Sequence, residues 1–366
     1  MGRVSIVRHN GNVKDSLSRA LDLIGGLGRY VNPNDRVLLK PNLNDTAVFT
    51  NISLTESLIQ MLMDLRAKPL IAESTFGNAN MTDAIFRQTG YADLASKYGI
   101  GIFNLNHSQS VFVKVPQPVV TESICVAREI FEADKIINLP SMKVHYATGI
   151  TICLKNLKGL LVGDEKRRFH EIGLDDAIVD LNASIHPHLN VVDALTCMER
   201  MGPRGGTPFD LNLILAGDNA AEVDYVGMTK MDYAHDEVQY LKRYLERSKL
   251  DVSQIDVVGE KLDEAKHSFK KVDLGIVPKG FTVHEHGACS SCMNAFLLSC
   301  HNLDSPQTRT YQVYIGSHRP ESHGTDQAGA FGNCCPTKNS DIVVKGCPPY
   351  PFALKERIKA SEKCNR

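Results

Sequence analysis

The residues best equipped for chemistry are cysteines near the end of the chain. Of ten cysteines, only Cys125, Cys153 and Cys197 precede residue 289; the others are Cys289, Cys292, Cys300, Cys334, Cys335, Cys347 and Cys364. Gly287-Ala288-Cys289-Ser290-Ser291-Cys292 sets two thiols three positions apart at the start of an expected helix, where backbone N–H groups favour thiolate. Gly332-Asn333-Cys334-Cys335-Pro336 and Gly346-Cys347-Pro348-Pro349 follow. Glycine before a ligand lets backbone approach a bulky inorganic group, and proline after it turns the chain away without a competing N–H. The pattern predicts one [4Fe–4S] cluster on Cys289, Cys292, Cys334 and Cys347, with Cys335 as the alternative to Cys334. A structural zinc site is the first rival, but zinc usually takes two tight cysteine pairs, and Cys334 and Cys347 are thirteen positions apart. A redox-active dithiol at Cys289 and Cys292 is the second, and thiols without function the third. Cys300 reads as core and Cys364 as tail, while Cys125, Cys153 and Cys197 read as small buried hydrophobes. With no export signal, disulfides are not expected.

The second constellation is basic. Between Leu139 and Leu160, otherwise apolar sequence carries Lys143, His145, Lys155 and Lys158. An unpaired lysine is costly to bury, so these groups are expected to face a cleft or an anion. His145 suits proton transfer or ligation, and a desolvated Lys155 suits a base or Schiff-base former. The bland alternative places the lysines in solvent and the histidine on a backbone group. The Gly/Pro loop from Met198 to Pro208 could cradle an anion through its N–H groups, although it lacks the Gly-Lys-Ser/Thr closure of a phosphate loop. Nothing fits a dinucleotide fingerprint. Asp193, Asp218 and Asp224 could complement the lysines or bind a second metal, with helix capping as their plain role, favoured for Asp218. His186 and His188 read as loop residues. His284 and His286 are expected near the cysteines, and His318 and His323 in a loop between the cysteine pairs.

These groups need a frame. Val4–Val7, Arg36–Leu39, Pro69–Ala72, Ile100–Leu105, Val111–Val115, Lys135–Leu139, Leu189–Val192 and Leu211–Ala216 read as strands. Apolar spacing predicts helices through Leu17–Leu27, Leu54–Leu65, Leu174–Leu181 and Cys289–Cys300. Alternation of this kind predicts an α/β fold, a largely parallel sheet with helices on both faces. Ligands of such sheets bind beyond the carboxyl ends of strands, which brings Lys40, Glu73, Lys143, Asp193 and Asp218 under consideration. After residue 265 the texture turns rich in Gly, His, Cys and Pro. Two domains are expected, an α/β body over 1–265 and a smaller Cys-rich C-terminal domain over 266–366.

Composition narrows the function. The 366 residues are 43% hydrophobic and 23% charged, with a net charge of −1, so a core is affordable and a general nucleic-acid binder is disfavoured. No stretch approaches the ~18 apolar residues of a membrane span. A cytoplasmic protein away from membranes and nucleic acid is expected.

Several spaced motifs resemble the DUF362 family: Lys40-Pro41-Asn42-Leu43, Ile137-Asn138-Leu139-Pro140 with Lys143 and His145, Leu154-Lys155-Asn156-Leu157-Lys158-Gly159, Val192-Asp193-Ala194, Gly202-Pro203-Arg204-Gly205 and Ala216-Gly217-Asp218. The resemblance covers roughly residues 1–260 and departs at Met198-Glu199-Arg200-Met201, where members usually have a small glycine-containing loop. Members often carry iron–sulfur ligands after this domain. The Gly-Cys-Pro-Pro element also resembles a cluster-holding segment of hydrogenase small subunits. The resemblance implies an iron–sulfur protein with an α/β body and leaves the reaction open. The expected function is a redox enzyme or electron carrier. It would act on an anionic small-molecule substrate or cofactor in a basic cleft of Lys40, Asn42, Lys143, Lys158 and Asp193, with His145 and Lys155 catalytic and a redox partner protein. The alternatives are a non-redox lyase or isomerase and a non-catalytic iron–sulfur sensor.

Overall fold

Runs such as Val37-Leu38-Leu39 and Ile136-Ile137 are apolar at successive positions, so both of their faces must be covered. All of these residues are buried. The computed structural model describes residues 2–75, 79–264, 266–304, 310–317, 327–338 and 340–364; His318 and His323 lie outside the described residues. The described strands are β1 (Arg3–Arg8), β2 (Arg36–Pro41), β3 (Lys68–Glu73), β4 (Gly101–Asn104), β5 (Ser110–Lys114), β6 (Ser123–Ala127), β7 (Lys135–Leu139), β8 (Ser141–His145), β9 (Gly149–Thr151), β10 (Leu189–Glu199), β11 (Thr207–Gly217), β12 (Asp256–Gly259), β13 (Phe281–His286), β14 (Tyr311–Gly316), β15 (Gln327–Phe331) and β16 (Ile342–Val344).

The main sheet runs β12-β1-β11-β10-β7-β2-β3-β4, with β8 beside β10 and β9 beside β8. The centre is parallel: β10 with β7, β7 with β2, β2 with β3 and β3 with β4. β11 is antiparallel to both β1 and β10. One face is covered by helices Val13–Asp22 and Ile52–Asp64, whose Leu17, Leu21, Leu54 and Leu58 join one core. The other is covered by helices that include Leu174–Ser184 and Ala220–Lys230. The architecture is the expected α/β sandwich of a largely parallel sheet.

The first sheet closes at Gly259 and a second opens at Phe281. It runs β13-β14-β15-β16, all parallel. Helix Ser290–His301 packs on it with Phe296, which shares one continuous core with Ile178 of the body and with Ile315 and Phe331 of the second sheet. Among the described residues no helix is long and apolar enough to cross a membrane.

Candidate functional site

Beyond the carboxyl ends of β2 and β3, between the body and the C-terminal layer, lies a cavity of about 820 Å³. The body supplies Asn42 after β2, Ser74 after β3, His145 at the end of β8, and Lys155, Asn156 and Lys158 from the turn-rich helical segment after β9. Helix Glu165–Ile172 adds Lys166 and His170, and the loop Met201–Gly205 closes one side. The C-terminal layer contributes Leu298, Tyr350 and Phe352 among others.

Lys155 faces this space because its segment is pinned from behind. The N–H groups of Cys153 and Leu154, which open helix Cys153–Asn156, donate to the buried Asp224 carboxylate at 2.6 and 3.1 Å. Asp224 lies within helix Ala220–Lys230 and is not its N-cap residue; it serves the start of another helix from across the packing interface. Asn156 is held by a chain of amides: it donates to Asn138 Oδ1 at 2.8 Å, Asn138 donates to Asn190 at 3.0 Å, and Asn42 donates to Asn156 Oδ1 at 2.9 Å. Lys143 Nζ completes the line, donating to Asn42 Oδ1 at 3.0 Å and to the Val48 carbonyl. Burial pushes the Lys143 ammonium down to about 8.

The lysines divide into two kinds. Lys40 lies beneath the cavity floor, where its Nζ meets Glu73 Oε2 at 2.6 Å and the Pro41 carbonyl at 2.7 Å. It is fully buried and does not line the cavity, so the expected substrate contact from Lys40 is not present; a carboxylate has taken its charge. A Cβ at Gly159 would stand 2.1 Å from Glu73 Oε1 and 2.5 Å from Lys40 Nζ, so glycine alone lets the floor close over this pair. Lys166 donates to three oxygens, the Ser74 carbonyl and hydroxyl and the Thr75 carbonyl, which saturates its ammonium. Lys155 and Lys158 are different. Lys155 donates to Thr151 Oγ1 at 3.1 Å, and Lys158 lies over the Phe169 ring, 5.9 Å from its centroid. Among the described residues neither has an ion pair. Burial, reinforced by Lys158 and Lys143, holds Lys155 well below the usual lysine range, and burial pushes Lys158 down to about 7.

His145 Nδ1 accepts from the N–H groups of Ala147 and Thr148 at 3.0 and 3.3 Å, which leaves the ring proton on Nε2. Burial first, then the surrounding lysines, holds the imidazole far below its usual pKa. It is therefore a neutral hydrogen-bond donor, not an imidazolium acid. Tyr146 stacks on it at 4.8 Å. Asp193 is turned away and does not line the cavity: its carboxylate accepts from the N–H groups of Asn51 and Leu195 at 2.6 and 3.0 Å, and burial pushes it up to about 6. Asp218 is also removed. β11 runs against its neighbours, so the end that carries Asp218 lies at the opposite edge of the sheet, 3.9 Å from Arg29. Asn219, not Asp218, caps the following helix.

Lys166, His170 and the Tyr350–Phe352 segment escaped the sequence reading. Lys166 and His170 are four apart on one short helix, so they share a face, and that spacing was the available signal. Tyr350 and Phe352 gave none, because their place depends on how the C-terminal layer docks.

The candidate ligand cysteines belong to this same C-terminal layer. Cys289 caps helix Ser290–His301, and Cys292 lies on its first turn. The Cys292 thiol donates to Cys289, and with nearby backbone N–H groups it draws Cys289 down to about 6. Asn333 N–H donates to the Gly346 carbonyl at 2.9 Å and Gly346 N–H to Asn333 Oδ1 at 2.8 Å, which ties the loop of Cys334 to that of Cys347. The charges of Cys289, Cys334 and Cys347 all reach Cys292. A Cβ at Gly332 would stand 3.3 Å from Cys292 Sγ, which brings the loop before Cys334 close to the thiol of Cys292. Cys335 instead buries itself against Tyr314, Ala328 and Ala330. Cys300, Cys153, Cys197 and Cys125 are buried, and His284 is taken by Gln312 at 2.7 Å and by the Tyr314 ring. Four thiols from three tied segments fit an iron–sulfur cluster in donor chemistry. Among the described residues no three His, Cys, Asp or Glu side chains stand at metal-holding distances, so the fit lies in the donor set and chain path and not in a preformed cage.

The model of a family described as "Domain of unknown function (DUF362)" matches residues 37–229. A thylakoid-associated protein of Synechocystis sp. is 29% identical over 233 residues, covering 59% of this chain and 69% of that protein. The lactate racemase apoprotein from Thermoanaerobacterium thermosaccharolyticum superposes with a TM-score of 0.42 at 11% identity, covering 85% of this chain and 69% of its own.

Proposed function

The chain belongs to the DUF362 family, and from that premise we propose that it binds an anionic small molecule or cofactor in the lysine cavity, beside a C-terminal cysteine set that would hold one [4Fe–4S] cluster. The observation that carries this reading is the pair Lys155 and Lys158. Two lysines face one cavity and, among the described residues, neither has a carboxylate at ion-pair distance; only the more distant charge of Asp175 supports their ammonium forms, and a cation in such a place is stabilised by an anion from outside. The neutral His145 would donate from Nε2 to the same anion, and Asn42 and Asn156 would orient it through the amide chain.

Cys289, Cys292, Cys334 and Cys347 would be the ligands, and a bound cluster would supply one-electron chemistry. On that footing the function is a redox enzyme or electron carrier that hands electrons to a ligand or partner protein, in the cytoplasm, where thiols stay reduced. Lys155 favours a second reading. A lysine held neutral is a base or nucleophile, which suits a lyase or isomerase with a structural cluster.

Isothermal titration with sulfate tests the anion site. Sulfate should bind the wild type at pH 6.5 and be lost from a Lys155→Met, Lys158→Met double variant that retains its circular dichroism. Equal binding by both proteins removes the reading. Anaerobic purification followed by reductive titration separates the two chemistries, since a cluster that resists reduction favours the second.

A further inference from the structure

The cavity is far larger than an oxyanion, and its two ends differ. A pocket of about 820 Å³ is drug-sized. Its buried end is polar: His145, Lys155, Asn156 and His170 are all nearly inaccessible. Its open end carries apolar surface. Met81 is 42% and Phe352 44% exposed, and the half-buried Met201 and Leu298 line the same cavity. The charged residues of this rim already have partners. Lys355 and Lys359 both meet Asp304, and Arg204 Nε donates to the Asn44 carbonyl at 2.5 Å.

Two simple occupants fail. A small anion would satisfy Lys155 and Lys158 but leave the apolar walls wet. A purely apolar ligand would cover the walls and strand two lysines that have no ion-pair partner among the described residues. Resting on the anion reading above, we propose that the ligand is an amphiphilic oxyanion. A carboxylate or phosphate head would meet Lys155 and Lys158, joined to an apolar body that covers Met81, Met201, Leu298 and Phe352.

The test is isothermal titration of the full chain at pH 6.5 with inorganic phosphate, phenyl phosphate, acetate, phenylacetate and benzyl alcohol. Phenyl phosphate should bind at least tenfold tighter than inorganic phosphate, or phenylacetate than acetate, whichever head is right. Removing about 60 Å² of apolar surface from water at ~25 cal/mol/Å² gives such a factor. Phe352→Ala combined with Leu298→Ala should narrow that gap, and Lys158→Met should weaken both members of the pair. Equal affinity for bare and aryl anions overturns this proposal and leaves the anion reading standing. Benzyl alcohol binding as tightly as the aryl anions overturns it in favour of an apolar pocket. Failure of every anion, with the protein folded by circular dichroism, overturns the anion reading as well.

Discussion

The main-chain N–H of Cys347 donates to the carbonyl of His170 at 2.6 Å, and His170 is a wall of the cavity. The contact is doubled: His170 Nδ1 lies 3.2 Å from the Pro348 carbonyl, and the Cys347 carbonyl accepts from Leu174 at 2.7 Å. On the other side, Asn294 of the cysteine helix donates to the Tyr146 carbonyl at 3.1 Å, and Ser291 to that of Ala147, next to His145. The cysteine segments therefore hold His170 directly, and hold the two residues after His145 through their carbonyls.

This joint gives the first prediction. Anaerobically purified wild type should carry about four iron atoms per chain and absorb in the visible. Cys347→Ala should lose most of both, while Cys300→Ala, which removes a thiol buried in the core, should keep them. Iron and sulfide analysis with a visible spectrum decides. Stoichiometric zinc in a colourless wild type would refute the cluster.

The second concerns pH. Lys158 titrates near 7 in the folded protein, against an ordinary value of 10.5. An anion needs its ammonium form, so above pH 7 binding must first return a proton. Sulfate, which does not itself titrate here, should weaken about tenfold per pH unit above 7 and level off below it. Heats measured in buffers of different ionisation enthalpy should show proton uptake on binding at pH 8. An affinity flat from pH 6 to 9 would contradict the role given to Lys158.

Much of this was legible in the residues. Continuous apolar runs such as Lys135–Leu139 gave the buried parallel strands, and the segment from His145 to Lys158 marked the cavity wall. Lys143, expected beside them, is fully buried and does not line the cavity, its ammonium spent on Asn42 and the Val48 carbonyl. What sequence does not carry is direction and partner. Leu211–Ala216 reads alike in either orientation, yet β11 is antiparallel, and that reversal alone removes Asp218 from the site. Lys40 and Lys158 look equivalent as residues, but a glutamate 33 positions away meets Lys40. The hairpin of β8 and β9 was hidden because its inward Lys143 and His145 are polar.

Asp224 yields a third prediction. Burial raises its carboxyl from 3.8 to about 7, so the folded protein holds this proton more tightly than the unfolded chain. The associated stability is full below about pH 4, falls as pH rises through 7 and is constant above. Its slope is at most ~1.4 kcal/mol per pH unit. Asp224→Asn removes the titration. Urea midpoints compared between pH 5 and 7.5 should decline more in wild type than in the variant, and parallel declines would show that another group sets the slope.

The Lys40–Glu73 pair supports the last. Both side chains are buried, and burial pushes Lys40 down and Glu73 up while each partner opposes the shift. Removing Lys40 leaves the buried Glu73 charge with only the Ser74 N–H and the more distant Lys166 to support it, whereas removing both leaves an apolar floor. Lys40→Met should therefore cost about 3–5 kcal/mol in urea unfolding. Lys40→Met with Glu73→Leu should recover most of that loss. The sulfate affinity of the double variant should stay close to wild type, because the pair supports the floor under Gly159 and does not reach the ligand. A double variant as unstable as the single would mean that shape, not charge, makes this position intolerant. Loss of sulfate binding in a stable double variant would return Lys40 to the site.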